Sequence, residues 1–66
     1  MKLIILYKDG CVEEIPVKLV WQDIHSDYDL YYETYNNEEG KGTFVEMKLI
    51  TTWKVVPHYF NADFDI

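Results

Sequence analysis

Apolar side chains recur at every second position through most of this chain, and that period points to strands. Ile15, Val17, Leu19 and Trp21 share one phase, with Glu14, Pro16, Lys18 and Gln22 in the other. Val45, Met47, Leu49, Trp53 and Val55 repeat the pattern against Glu46, Lys48, Thr52 and Lys54. Successive side chains of a strand point to opposite faces, so each run reads as a sheet surface with one apolar side. Val20 interrupts the polar side of the first run. The opening run, KLIILYK at 2–8, is apolar in both phases, which suits a central strand or one held between two layers. Asp9-Gly10 after it predicts a tight turn. Pro16 lacks an amide donor and marks an edge or a bulge.

Residues 28–35 admit two readings. As a strand, Tyr28, Leu30, Tyr32 and Thr34 share one face, and Asp27, Asp29, Tyr31, Glu33 and Tyr35 the other. As a helix, Ser26 is the N-cap, with Asp29 closing an acidic capping box. Tyr and Thr suit a pleated surface, and the polar stretch from Asn36 to Gly42 reads as a hairpin loop, so the strand is favoured. The run from Thr43 to Val56 exceeds the usual strand of about 5–6 residues, and a bend or bulge is expected near Ile50-Thr51, where the apolar phase is disturbed. Pro57 ends it. The tail HYFNADFDI alternates once more and reads as a short edge strand or a docked extended segment.

The expected fold is therefore all-β: a single domain over 1–66, built as a small four- to five-stranded antiparallel meander sheet or open barrel. The alternative is α+β, with one helix over 27–37 packed on the sheet. The expected core comprises Val17, Leu19, Trp21, Met47, Leu49 and Trp53. A chain of 66 residues with one cysteine has no internal disulfide and a small core, which favours a homodimer. No apolar run approaches the roughly 20 residues of a membrane span, and the cytoplasm is the expected compartment.

Charge narrows the function. The net charge is −6. Between Leu19 and Gly40 stand Asp23, Asp27, Asp29, Glu33, Glu38 and Glu39, with no lysine; elsewhere six acids balance six lysines, and arginine is absent. A phosphate-binding surface needs the opposite sign, so direct nucleic-acid binding is not expected.

Asp23, His25, Asp27 and Asp29 alternate, but on an extended strand such ligands splay, and no zinc or EF-hand spacing accompanies them. No metal or cofactor is expected. Cys11 has His25 and His58 only at a distance in sequence and no nucleophile signature beside it, so no catalytic residue is assigned and the chain reads as a non-enzyme. Carboxylates among tyrosines instead suggest an interaction surface, since tyrosine combines a rigid apolar body with a polar tip. The candidate partner-binding residues are Asp23, Asp27, Asp29, Tyr31, Glu33, Tyr35, Glu38 and Glu39. The plainer alternative is a charged face that keeps a small domain soluble.

In size and composition the chain resembles accessory proteins of bacteriophages and mobile elements that bind and inhibit host proteins. The resemblance implies an inhibitor or adaptor that takes a basic site on a partner protein. Carboxylates at alternate strand positions would also allow nucleic-acid mimicry. The alternative, from another class, is a β protein that sequesters a small molecule or nucleotide as a dimer. Trp21 and Trp53 would then stack on the ligand, and Lys18, Lys48 or Lys54 would meet its phosphate.

Overall fold

The computed structural model describes residues 1–36 and 42–57, and six strands with one 3-10 turn carry them. The strands are β1 (Lys2–Tyr7), β2 (Val12–Pro16), β3 (Leu19–Asp23), β4 (Asp29–Glu33), β5 (Thr43–Val45) and β6 (Ile50–Val56), and the 3-10 turn, Met47–Leu49, precedes β6. They form two antiparallel three-stranded sheets, in the orders β2-β1-β6 and β3-β4-β5. The fold is all-β, with six strands where four to five are expected, and the sheets do not close into a barrel. No helix occupies residues 27–36, so the α+β alternative fails; residues 37–41, with part of the expected hairpin loop, and residues 58–66, with the expected edge strand, lie outside the described residues.

β1 is the central strand of its sheet, as its two-sided apolar run requires. Leu3, Ile4 and Ile5 are all fully buried. Leu3 pairs with Ile15 and Val55, and Ile5 with Glu13 and Trp53. The Asp9-Gly10 turn forms: Gly10 has φ +92°, a left-handed value that a residue without a Cβ adopts without strain. The Cys11 amide donates to Asp9 Oδ1 at 2.9 Å, and the Tyr7 amide to the Cys11 carbonyl at 2.9 Å. Pro16 closes β2, an edge strand, where its missing donor leaves no gap in the ladder.

The long alternating run does not stay in one sheet. At Val17-Lys18 the chain turns a corner and changes hydrogen-bonding partner. The Val17 amide donates to the Met1 carbonyl at 3.1 Å, still on the β1 side, while the Lys18 amide donates to the Glu33 carbonyl at 2.7 Å, on the β4 side. Val17 fills the corner and is fully buried. The second long run divides likewise. The 3-10 turn separates β5 from β6 and sends them to different sheets, and the irregularity expected near Ile50-Thr51 follows it: Leu6 pairs with Thr52 but Tyr7 with Ile50, so Thr51 is an extra residue in the β6 ladder.

The core lies between the inner faces of the two sheets. Leu3, Ile5, Val17, Leu30 and Ile50 form it, with Tyr7, Ile15, Val20, Tyr32, Val45, Met47 and Trp53 packed around. This corrects three members of the expected core. Leu19, Trp21 and Leu49 are exposed: the corner inverts which phase of the alternation faces inward at Leu19 and Trp21, and Leu49 lies in the 3-10 turn, where strand alternation does not hold. Full burial of an aliphatic side chain contributes about 1.5–3 kcal/mol, so this small aliphatic set supplies most of the stabilisation. No helix among the described residues is long and apolar enough to cross a membrane.

Candidate functional site

The corner at Val17-Lys18 decides what the second sheet presents outward. Beyond it, Val20 faces the core and its neighbours face out. The register β3–β4–β5 then builds the outer face row by row. Leu19 stands opposite Glu33; Trp21 opposite Tyr31, itself opposite Phe44; and Asp23 opposite Asp29. The middle row consists of three aromatic rings. Trp21 and Tyr31 stack with centroids 5.5 Å apart and planes 17° apart, and Tyr31 and Phe44 stack at 5.5 Å and 30°. Stacked aromatic pairs contribute about 0.5–1.5 kcal/mol beyond area burial, so the rings brace one another. They remain open to solvent, with Trp21 36% and Phe44 54% exposed.

In the next row, beside Trp21 and Tyr31, stand Asp23 and Asp29, directly across from each other. Like charges so placed repel. Donors of the chain itself offset part of this. The His25 amide donates to Asp23 Oδ1 at 2.8 Å and the Ser26 hydroxyl to Asp23 Oδ2 at 3.3 Å; the Met47 amide donates to Asp29 Oδ1 at 2.9 Å. Both carboxylates are thus half-buried and fixed, one organising the β3–β4 turn and the other tethering the 3-10 turn. The strands of this sheet contain no lysine.

The remaining expected site residues are dispersed. Glu33 shares the outer face by register, opposite Leu19, but is only 5% exposed, so it is covered there and adds nothing to an open acidic surface, a correction to its expected place. Asp27 is exposed, but it sits in the turn and not on a strand. With Asp27 in the turn and Glu33 buried, the carboxylates do not line up at alternate positions as phosphate mimicry requires. Tyr35 is 68% exposed, beyond the end of β4. Glu38 and Glu39 lie outside the described residues. Tyr31 is the one expected aromatic in the row; Trp21 was assigned to the core and Phe44 to no site. The signal for both lay in Val20, whose apolar side chain marks the inward phase of β3.

The β3–β4 turn holds the backbone at unusual angles, with φ 54° at Asp27 and 60° at Tyr28. Aspartate tolerates this left-handed region, whereas a bulky aromatic residue there is strained. The Tyr28 amide donates to the Asp23 carbonyl at 3.0 Å, and Gln22 Nε2 to the Tyr28 carbonyl at 2.9 Å, which together fix the turn.

Other candidate chemistry is not assembled. Among the described residues, no three of His, Cys, Asp and Glu come together as metal ligands, because Asp23 and Asp29 lie on separate strands with His25 and Asp27 in the turn between. Cys11 is exposed, and its hydrogen bond to Asp9, with that residue's charge, pushes the thiol above its usual range. A thiol so held is a poorer nucleophile than a thiolate. Trp53 faces the core from the first sheet, while Trp21 faces out from the second, so the two indoles do not sandwich a ligand. A shallow cleft of about 270 Å³ lies between the β1–β2 turn and the 3-10 turn, lined by Tyr7, Lys8, Asp9, Lys48 and Leu49. Comparison with protein-family models, curated proteins and solved structures finds no match to this chain, so the outer face of the second sheet itself carries the functional reading.

Proposed function

We propose that this chain is a non-enzymatic protein-interaction module, an inhibitor or adaptor, whose outer second-sheet face takes a basic site on a partner protein. One observation carries the reading: an open row of three stacked aromatic rings, Trp21–Tyr31–Phe44, is flanked by a pair of fixed carboxylates in a sheet whose strands contain no lysine. Desolvated aromatic anchors with complementary charge at the margin are what tight protein interfaces use. A platform for nucleic acid would need the same rings beside cations, and a small-molecule site would be concave. No lysine stands within the strands of this sheet, and Lys2 and Lys48 are paired, with Glu14 at 2.7 Å and with Glu46 at 3.0 Å.

The test is retention of basic proteins on the immobilised chain from a lysate at low salt, compared with a Trp21→Ser/Phe44→Ser variant that melts normally. The expected result is a defined partner bound by the wild type and lost by the variant. Equal retention by both would refute the assignment of this face. We also propose that the chain forms a homodimer at micromolar concentration. Isologous pairing through the acidic face would set Asp23 and Asp29 against their own copies, so self-association uses the first sheet. Light scattering that gives only the 7.9 kDa monomer across that range would exclude it.

A further inference from the structure

We infer that the aromatic row receives an arginine side chain of the partner, stacked on the Trp21 indole in a seat that Gly42 keeps open; this deepens the basic-partner reading and rests on it. The indole starts on β3 and reaches over β4 to the chain just before β5. A Cβ built on Gly42 would stand 2.6 Å from Trp21 Cη2, 3.2 Å from Cζ2 and 3.2 Å from the Tyr32 carbonyl oxygen. No side chain fits at position 42 while the indole stays where it is. Tyr31 braces the ring through their stack and the Gly42 backbone lies against its far end, yet 36% of Trp21 remains open. A ring already fixed in its binding position loses little freedom when a partner arrives.

The chemistry selects the occupant. Tryptophan is the strongest aromatic acceptor of a cation. Guanidinium is planar, stacks on ring faces and sheds water more readily than an ammonium group. Asp23 lies two residues along β3 from Trp21, about 6.6 Å at strand rise and on the same face. Asp29 faces it across the ladder. Their bonds to the His25 and Met47 amides fix the two carboxylates and leave lone pairs for further donors. A stacked guanidinium therefore meets acceptors beside the ring, and its charge relieves the repulsion of the aspartate pair. The arginine must come from outside, because this chain contains none.

The experiment is a 15N NMR titration of the full chain at physiological salt with two blocked peptides of equal length, one of Gly-Arg and one of Gly-Lys repeats. The Arg peptide should shift the Trp21 indole N–H with the Tyr31 and Phe44 amides, and bind at least about five-fold more tightly than the Lys peptide. Gly42→Ala, which must displace the indole, should abolish that preference. Trp21→Leu, which removes the ring and leaves the backbone free, should do the same, and a normal thermal melt of either variant attributes the loss to the seat. Equal affinity for both peptides, or a preference that survives both variants, would overturn the arginine seat and leave the basic-partner reading standing. Absence of shifts on this face with either peptide would overturn both.

Discussion

Leu30→Ala and Trp21→Ala remove large apolar side chains from opposite faces of one hairpin, and their contrast tests the orientation of the whole second sheet. Leu30 is fully buried against Leu3, Ile5, Val17 and Ile50, so its truncation leaves a cavity between the sheets. Such substitutions cost about 2–5 kcal/mol. A domain of this length has about 3–10 kcal/mol in total, at roughly 0.05–0.15 kcal/mol per residue. Taking about 3 kcal/mol for Leu30→Ala, and about 4–8 °C per kcal/mol for a domain of this size, the melting temperature should fall by roughly 12–24 °C. Trp21→Ala loses one stack and the contact with Gly42 on an open face, about 1–1.5 kcal/mol, and should fall by less than roughly 12 °C. Melts followed by far-ultraviolet circular dichroism at one protein concentration make the comparison, since self-association would make Tm concentration-dependent. If Trp21→Ala melts as low as Leu30→Ala, the row is core, the outward phase of β3 is wrong, and the interaction surface does not exist.

Asp27→Lys, on the exposed turn, should leave the melt unchanged and slow association with a basic partner, an effect that shrinks with salt because it acts over about 8 Å; Glu33→Lys at its buried position should unfold the domain, and a normal melt would return Glu33 to the open face. Tyr28→Gly should raise Tm by a few degrees, since relief of about 1–2 kcal/mol of left-handed strain exceeds the roughly 0.5–1 kcal/mol of added chain entropy, and a lower Tm would show that the exposed ring holds the turn. Burial first, and then the hydrogen bond to Glu13, raise the Tyr7 phenol well above the usual tyrosine range, and burial raises Tyr32 as well. The folded state disfavours the phenolates, so this stability is complete below about pH 10, the unfolded value, and is lost as pH rises beyond it; Tyr7→Phe should make Tm fall less steeply in that window, and an unchanged slope would refute the assignment.

The sequence reveals the first sheet better than the second, for a physical reason. Leu3, Ile4 and Ile5 are apolar on both faces, and only a central strand accommodates that. Asp9-Gly10 and Pro16 each state a local constraint that no distant contact overrides. Leu19 and Trp21 mislead because phase carries over only while a strand stays in one sheet. The corner at Val17-Lys18 preserves the alternation in sequence and inverts its meaning in space. Val20 is the apolar residue that disturbs the pattern, and it is the one that faces the core. Leu49 misleads for another reason: it lies within the 3-10 turn, where strand alternation does not hold. Of the expected site, Asp23, Asp29 and Tyr31 meet on one face because the register brings them there. That register depends on a turn with two left-handed residues, neither of them glycine, which no turn signature announces.

Solubility alone explains acids on a surface; it does not explain rings among them. A domain this small gains most from aromatic side chains when it buries them, since each removes a large area from water. Here the fully buried residues are aliphatic, Leu3, Ile4, Ile5, Val17 and Leu30, while Trp21, Tyr31 and Phe44 stack outside. An open aromatic row between short strands also invites association with any exposed sheet. On the proposed reading, Asp23 and Asp29 beside it oppose that association for acidic partners, including copies of this chain, and favour it for basic ones. In that proposal the carboxylates act as a filter on the rings, which supply the adhesion. A face meant only to remain dissolved would need the acids and would be better without Trp21.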